Sequence, residues 1–410
     1  MLPDLSLPHF LRRTATPGVH AFALIGGIEA VVRGIMLSVY PLLMYRAWGD
    51  AIVVSKWFFA VGVVSLLTGL CVPMLARHLS RRRVYSFGVL LFVVSAGFGI
   101  ASGKFTTAAL LCHAMGTAVV FVCFNAYVLD NLPKSDFARL ESLRLVFGGI
   151  GWTVGPLLGV VLLRFWHGGP FVIVGLAACT MMAAFWQLGL SNGRVNAQGT
   201  RASSNPFGFL RRFVAQPRLV AGWLFAVLRS CGWWVYVVYV GIFSVQRGLG
   251  EQVGGFASSL ANMGLFMAPL MLRWMQRRSV REAVRTGFLA SGSLFILGAL
   301  VSPFPVATVA VLVLASYFLV LLDVCAGLPF LMAVKPSQRT EMSAVYSSFR
   351  DVSGILTPGM AWLVLQFTPL AGVFAMGGCA LLAAWFFARH VHPDLGVPGA
   401  QRARVSVPTS

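Results

Sequence analysis

Charge is the first scarcity in this 410-residue chain: only 11% of residues are Asp, Glu, Lys or Arg, against about 25% in an ordinary soluble domain. The acids number 12, and the lysines are Lys56, Lys104, Lys134 and Lys335. A water-soluble globular fold is excluded on that ground. Cysteine is sparse as well. The seven cysteines are scattered along apolar runs, without a Cys-x-x-Cys pair or a Cys/His cluster, so neither a disulfide framework nor a zinc site is indicated. No metal and no cofactor are expected. The sequence also lacks Gly-x-Ser-x-Gly, His-Glu-x-x-His and a Walker-type phosphate loop, which argues against a membrane enzyme and against ATP-driven pumping by this chain alone.

What is abundant is hydrocarbon. Hydrophobic residues make up 58% of the chain and the mean hydropathy is +0.81. Apolar runs of about 20 residues, the length that crosses a bilayer as a helix, recur throughout. Twelve spans are predicted, at 20–45, 52–76, 84–102, 106–131, 142–164 and 170–190, then at 219–245, 253–275, 282–302, 305–333, 343–367 and 370–389. The first comes after Arg12 and Arg13 and is too long for a cleaved signal, so it reads as a retained span.

The formal net charge of +20 does not point to nucleic acid, because the basic residues sit in short clusters between apolar runs. That is the distribution of cytoplasmic loops. With twelve spans and both termini in the cytoplasm, the cytoplasmic side collects Arg77, Arg81, Arg82, Arg83, Arg194, Arg201, Arg211, Arg212, Arg273, Arg277 and Arg278, among others. The opposite loops hold only Arg46, Lys56, Lys104, Arg164 and Arg247. The polar stretch 191–218 divides the chain and reads as a cytoplasmic linker, its end (207–218) either a short surface helix or a plain loop. Three segments are therefore expected: a six-helix bundle over 1–190, the linker 191–218, and a second bundle with a short tail over 219–410.

The halves echo each other. Pro73-Met-Leu-Ala-Arg-His-Leu-Ser-Arg-Arg-Arg-Val84 comes after span two, and Pro269-Leu-Met-Leu-Arg-Trp-Met-Gln-Arg-Arg-Ser-Val280 after span eight. Pro, Arg, Arg-Arg and Val recur at identical spacing. A second echo joins 135–156 to 337–358, each with a polar loop, scattered charges and a closing Pro. Two echoes in the same order point to internal duplication.

Six spans, a basic linker and six related spans resemble the major facilitator superfamily of secondary transporters. The loop after span two is similar to that family's Gly-x-Leu-Ala-Asp-Arg-x-Gly-Arg-Arg pattern in Leu75, Ala76, Arg81 and Arg82, while Arg77 stands in the place of the Asp. The resemblance implies an all-α integral membrane protein of twelve transmembrane helices in two pseudo-symmetric six-helix bundles. It also implies a cytoplasmic latch of charges around Arg77, Arg81 and Arg82, with Arg273 in the echoing loop. Asp130, Glu141, Arg144, Arg350 and Asp351 lie near the cytoplasmic ends of spans four, five and eleven and read as further gate charges. Gly151-Trp-Thr-Val-Gly-Pro-Leu-Leu-Gly159 resembles a Gly-x-x-x-Gly-Pro-x-x-Gly motif of the family's proton-linked exporters. Physically, Gly151, Gly155 and Gly159 form a stripe that admits a close helix, and Pro156 permits a bend. Close packing alone is the other reading.

The deep charges are the strongest site signal. Glu29 and Arg33 are four residues apart and share a helix face. A charge at such depth is costly and normally faces the bundle interior or a wet cavity. Arg229 in span seven, Asp323 in span ten and His113 in span four are the others; in the family this chain resembles, spans one, four, seven and ten line the cavity. The resemblance thus implies a solute or proton pathway through Glu29, Arg33, His113, Arg229 and Asp323. Trp233, Trp234, Tyr236 and Tyr239 form either an aromatic wall for an organic solute or interface anchors. Structural readings stand beside these: a helix-bracing Glu29–Arg33 pair, Arg229 as a fixed counter-ion of Asp323, and a packed His113.

The function expected is proton-coupled transport of a small organic solute, with export favoured. Import of an organic nutrient or metal chelate on the same fold is the alternative, and a non-transporting receptor is a third possibility. The expected partners are the solute, protons and the lipid bilayer, with no nucleic acid. The expected setting is a bacterial-type inner membrane, as a monomer.

Overall fold

The computed structural model describes residues 18–132, 137–188, 211–325 and 345–389, together with Gly327, Phe330, Val334 and Met342. Among these residues every regular element is a helix. The solvent explains this: lipid offers no hydrogen bonds, so a spanning backbone must satisfy itself within the segment.

The first six helices are α1 (Val19–Trp48), α2 (Ala51–His78), α3 (Arg81–Ala101), α4 (Phe105–Asn131), α5 (Phe137–Phe165) and α6 (Gly169–Gln187). The next are α7 (Pro217–Gln246), α8 (Glu251–Arg277), α9 (Val280–Leu300), α10 (Pro305–Cys325), α11 (Phe349–Val364) and α12 (Ala371–Ala388). Eleven of them are long and apolar enough to cross a membrane; α11 is the exception, with 16 residues in its described helix. Turn chemistry sets several ends. Gly49, at φ 69°, closes α1 by returning its N–H to the Tyr45 carbonyl, the left-handed cap that glycine adopts without strain. Ser80 and Ser279 cap α3 and α9 by accepting the backbone N–H of Arg83 and Glu282.

Several helix ends shift by a few residues from the sequence reading, and two spans depart further. Span eight is interrupted by a 3-10 turn at Gly264–Met267, just before Pro269. Proline has no N–H and its ring crowds the carbonyl four residues back, so the helix tightens there. Span ten, expected to reach 333, has its described helix end at Cys325, and most of 326–344 lies outside the described residues. So does the linker up to 210; residues 211–214 form one helical turn before α7 opens at Pro217.

The chain divides into two compact units, residues 1–49 with 60–201 and residues 50–59 with 202–410. In the first, α1 packs on α5 and α6, α3 packs on α4 and α6, and α1 touches α4. In the second, α7 packs on α11 and α12, α9 packs on α10 and α12, and α7 touches α10. Every pairing recurs six helices later, as a duplicated bundle requires. The start of α2 belongs to the second unit, where Ser55 Oγ lies 2.7 Å from Tyr239 Oη and the Phe59 ring faces Trp362.

The α1–α5 pairing is a backbone-to-backbone seam. A Cβ on Gly151 would stand 2.8 Å from the Ala30 carbonyl carbon, one on Gly155 2.7 Å from that of Gly34, and one on Gly159 2.6 Å from the Ile35 oxygen. Gly34 meets the Gly151 carbonyl in turn. The 196-residue spacing of the two basic loops carries Gly34 onto Ser230, and the second echo carries Gly151 onto Ser353. In the second unit those two serines are joined by a 2.7 Å hydroxyl–hydroxyl bond between α7 and α11. One contact in the repeat is therefore made by two different means.

Candidate functional site

In the second unit, α7 and α10 bring three of the sequence-predicted residues together. Arg229 Nε lies 3.1 Å from Asp323 Oδ1, and the Trp233 indole N–H donates to Asp323 Oδ2 at 2.9 Å. Arg229 and Trp233 are one helical turn apart on α7, so both address the same carboxylate. The guanidinium also stands 5.2 Å over the Phe349 ring of α11. The Asp323 side chain keeps 33% of its surface exposed, the Arg229 side chain 12%. A carboxylate that is held by two partners yet still open on one side can exchange a partner for a proton or a solute group.

The other aromatic residues of α7 are differently committed. Tyr236 is fully buried, edge-on to Trp233, and its hydroxyl donates to the Ala257 carbonyl of α8 at 2.8 Å. Tyr239 is buried against Ser55, and Trp234 lies against Gly354 of α11.

In the first unit, Glu29 and Arg33 of α1 stand 3.5 Å apart, oxygen to nitrogen. Glu29 is 4% exposed, whereas the Arg33 side chain is 36% exposed and lies 5.1 Å from the Trp152 ring of α5. His113 is buried between the rings of Tyr40 (5.2 Å) and Phe92 (5.0 Å), and its Nδ1 has no hydrogen-bond partner among the described residues. The Tyr40 and Ser95 hydroxyls are hydrogen-bonded to each other at 2.5 Å, and both lie within reach of the Ala109 carbonyl, at 3.2 and 2.8 Å.

Of the expected gate charges, Arg81 pairs with Asp130 and covers the Tyr127 ring. Arg82 lies over the Trp186 ring, its guanidinium carbon 3.8 Å from the ring centre. Arg144 covers Phe124 and abuts Gly26 of α1. Arg273, Arg350 and Asp351 are exposed, Arg350 with its guanidinium over Phe349. The side chains of Arg77 and Glu141 lie outside the described residues.

A family profile described as Major Facilitator Superfamily matches residues 22–358. The chain belongs to the Major Facilitator Superfamily. It is thus a multi-pass membrane transporter, and its twelve helices form that superfamily's two six-helix bundles. Solved structures of the same fold include the nucleoside transporter NupG in a mutant form, with TM-score 0.69, 14% identity, and coverage of 91% of this chain and 99% of that one. A peptide transporter of the POT family in complex with sulfate has TM-score 0.71 and 14% identity, over 94% and 97% of the two chains. Another POT family transporter, in complex with a thioalcohol-conjugated peptide, has TM-score 0.67 and 12% identity, over 90% and 95%. No curated protein matches this sequence.

Sequence reasoning missed several partners. The Trp233 indole as a donor to Asp323 and the Ser230–Ser353 bond left no local signal. Tyr85 stacks on Phe185 with Tyr127 edge-on to both, and both tyrosine hydroxyls lack partners among the described residues. Their sequence context is simply apolar.

Proposed function

We propose that this superfamily member moves a small organic solute by alternating access, coupled to protons, with export as its direction. The observation that carries the reading is Asp323: an acid in an apolar helix, bound by Arg229 and Trp233, with a third of its surface open. An intramembrane ionisable group normally marks a solute or proton route. Glu29 with Arg33 is the corresponding charged pair of the first unit. The 196-residue repeat spacing places Arg33 and Arg229 at equivalent positions. In this reading the acids carry the proton, the arginines are their exchangeable partners, and Trp233 offers an aromatic face to the solute. His113 and Tyr236 support the pathway from behind. The Arg81–Asp130 pair, with Arg82, Arg144 and the family position of Arg77, supplies the cytoplasmic gate charges of the first unit, and Arg273, Arg350 and Asp351 those of the second. The stripe Gly151, Gly155, Pro156, Gly159 lets α5 follow α1 closely and, by its likeness to the exporter motif, supports the outward direction.

The proposed organisation is a bundle over 1–190, a cytoplasmic linker over 191–218 and a bundle over 219–410. Both termini would lie in the cytoplasm of a bacterial-type inner membrane, with the protein working as a monomer. The loop charges support that orientation. The test is solute flux in proteoliposomes under an imposed pH gradient, for wild type, Glu29→Gln and Asp323→Asn. At least one neutral variant should lose uphill accumulation while keeping downhill exchange. Wild-type accumulation and pH dependence in both would sink the coupling role. Flux in right-side-out against inverted vesicles decides export against import.

A further inference from the structure

A basic cavity of about 420 Å³ lies where the first turns of α9 meet the end of α12, away from every residue assigned above. Arg281, Arg285 and Leu289 are spaced by four on α9 and share one face. Arg285 stands 5.7 Å from the Trp385 ring of α12. Arg281 is fixed by donating to the Arg389 carbonyl at 2.7 Å, at the C-terminal cap of α12. The Nε–H groups of both arginines are buried and have no acceptor among the described residues. An unmet guanidinium donor is costly, and both arginines line this one cavity, where an anionic group would answer their charge. The one carboxylate in the wall, Glu282, is already held by Arg278 at 2.7 Å. Three arginines to one acid leaves a net positive site.

We propose that this cavity binds the phosphate headgroup of an anionic glycerophospholipid. Guanidinium groups suit phosphate oxygens through paired N–H donors. Ser279 and Thr286 add hydroxyls to the wall. A lipid rather than a free phosphate is favoured by what adjoins the charges. Leu289, Phe386 and Phe387 are exposed apolar side chains on the same two helices, and Trp385 is the residue type that sits at headgroup level. Basic pockets between transmembrane helices bind anionic headgroups in this way. The topology proposed above would put this site in the cytoplasmic leaflet; the binding itself does not rest on that topology.

The test uses full-length protein, delipidated in neutral detergent and titrated with phosphatidylglycerol, phosphatidylcholine, glycerol phosphate or inorganic phosphate, with thermal melting and native mass spectrometry as readouts. Phosphatidylglycerol should raise the melting temperature and stay bound, and the other three should do neither. Arg285→Gln should weaken phosphatidylglycerol binding at least fivefold, with Arg285→Lys intermediate and Arg247→Gln as wild type. Unchanged binding in Arg285→Gln overturns the site, and an equal shift from inorganic phosphate overturns the lipid assignment. A phosphatidylglycerol carrying a photoreactive group near its headgroup tests wild type directly: label within 279–289 or at Trp385 supports the site, and label only elsewhere refutes it.

Discussion

Asp323 has one oxygen toward Arg229 and the other toward the Trp233 indole. Trp233→Phe keeps the ring and removes only the N–H. A hydrogen bond to a charged group is worth about 1.5–3 kcal/mol, and partial exposure argues for the low end. Proton-driven accumulation should therefore fall roughly tenfold in proteoliposomes, with little change in melting temperature. An unchanged rate would show that the indole bond is incidental. Arg229→Ala leaves the carboxylate without its counter-charge, so this variant should be poorly stable in detergent; Arg229→Ala combined with Asp323→Asn should recover much of the loss. The charged residues were legible because a charge in an apolar run has few structural excuses. His113, Tyr236 and Trp233 were harder to place. In lipid both faces of a helix are apolar, so the periodicity that orients a soluble helix is erased, and nothing distinguishes Tyr236, bonded to Ala257, from a residue open to a pathway.

Among the elements, the α1–α5 seam and its α7–α11 counterpart differ in what they tolerate. Gly155→Ala drives a methyl into the Gly34 backbone, which cannot rotate aside. Overpacking of that kind costs about 1–3 kcal/mol, to be read as a lowered midpoint in thermal or denaturant unfolding of purified protein. Ser353→Ala removes only one hydroxyl partner of Ser230 and should cost about 1 kcal/mol or less. Equal losses would mean that the glycine seam can yield. The four-residue glycine spacing announced a close helix, but the partner could be found only in three dimensions. The 3-10 turn before Pro269 was not foreseen, because proline is tolerated within membrane helices and its presence alone does not fix where the ladder breaks.

For the whole molecule, helix number was readable from run length and loop charge, since bilayer thickness and the positive-inside bias act directly on sequence, while duplication was read from the two echoes and the superfamily from the resemblance of the six-plus-six pattern and its loop motif. Orientation is checked by labelling. In a cysteine-free background, Thr200→Cys should react with membrane-permeant maleimide but not with an impermeant one in intact cells; reaction with the impermeant reagent would invert the topology. The division of contacts between the repeats has a further consequence. Where Gly34 crosses Gly151 and Gly155 there are no side chains to exchange, so a substitution at those positions cannot be compensated by another across from it. The serine-linked counterpart has such freedom, since two small side chains can be traded as a pair. A saturation library should show Gly34, Gly151 and Gly155 closed to nearly all replacements, while Ser230 and Ser353 accept alanine, glycine and matched pairs. Inherited variation would then accumulate unevenly in the two copies, and the second half of the chain would be the freer one to diverge.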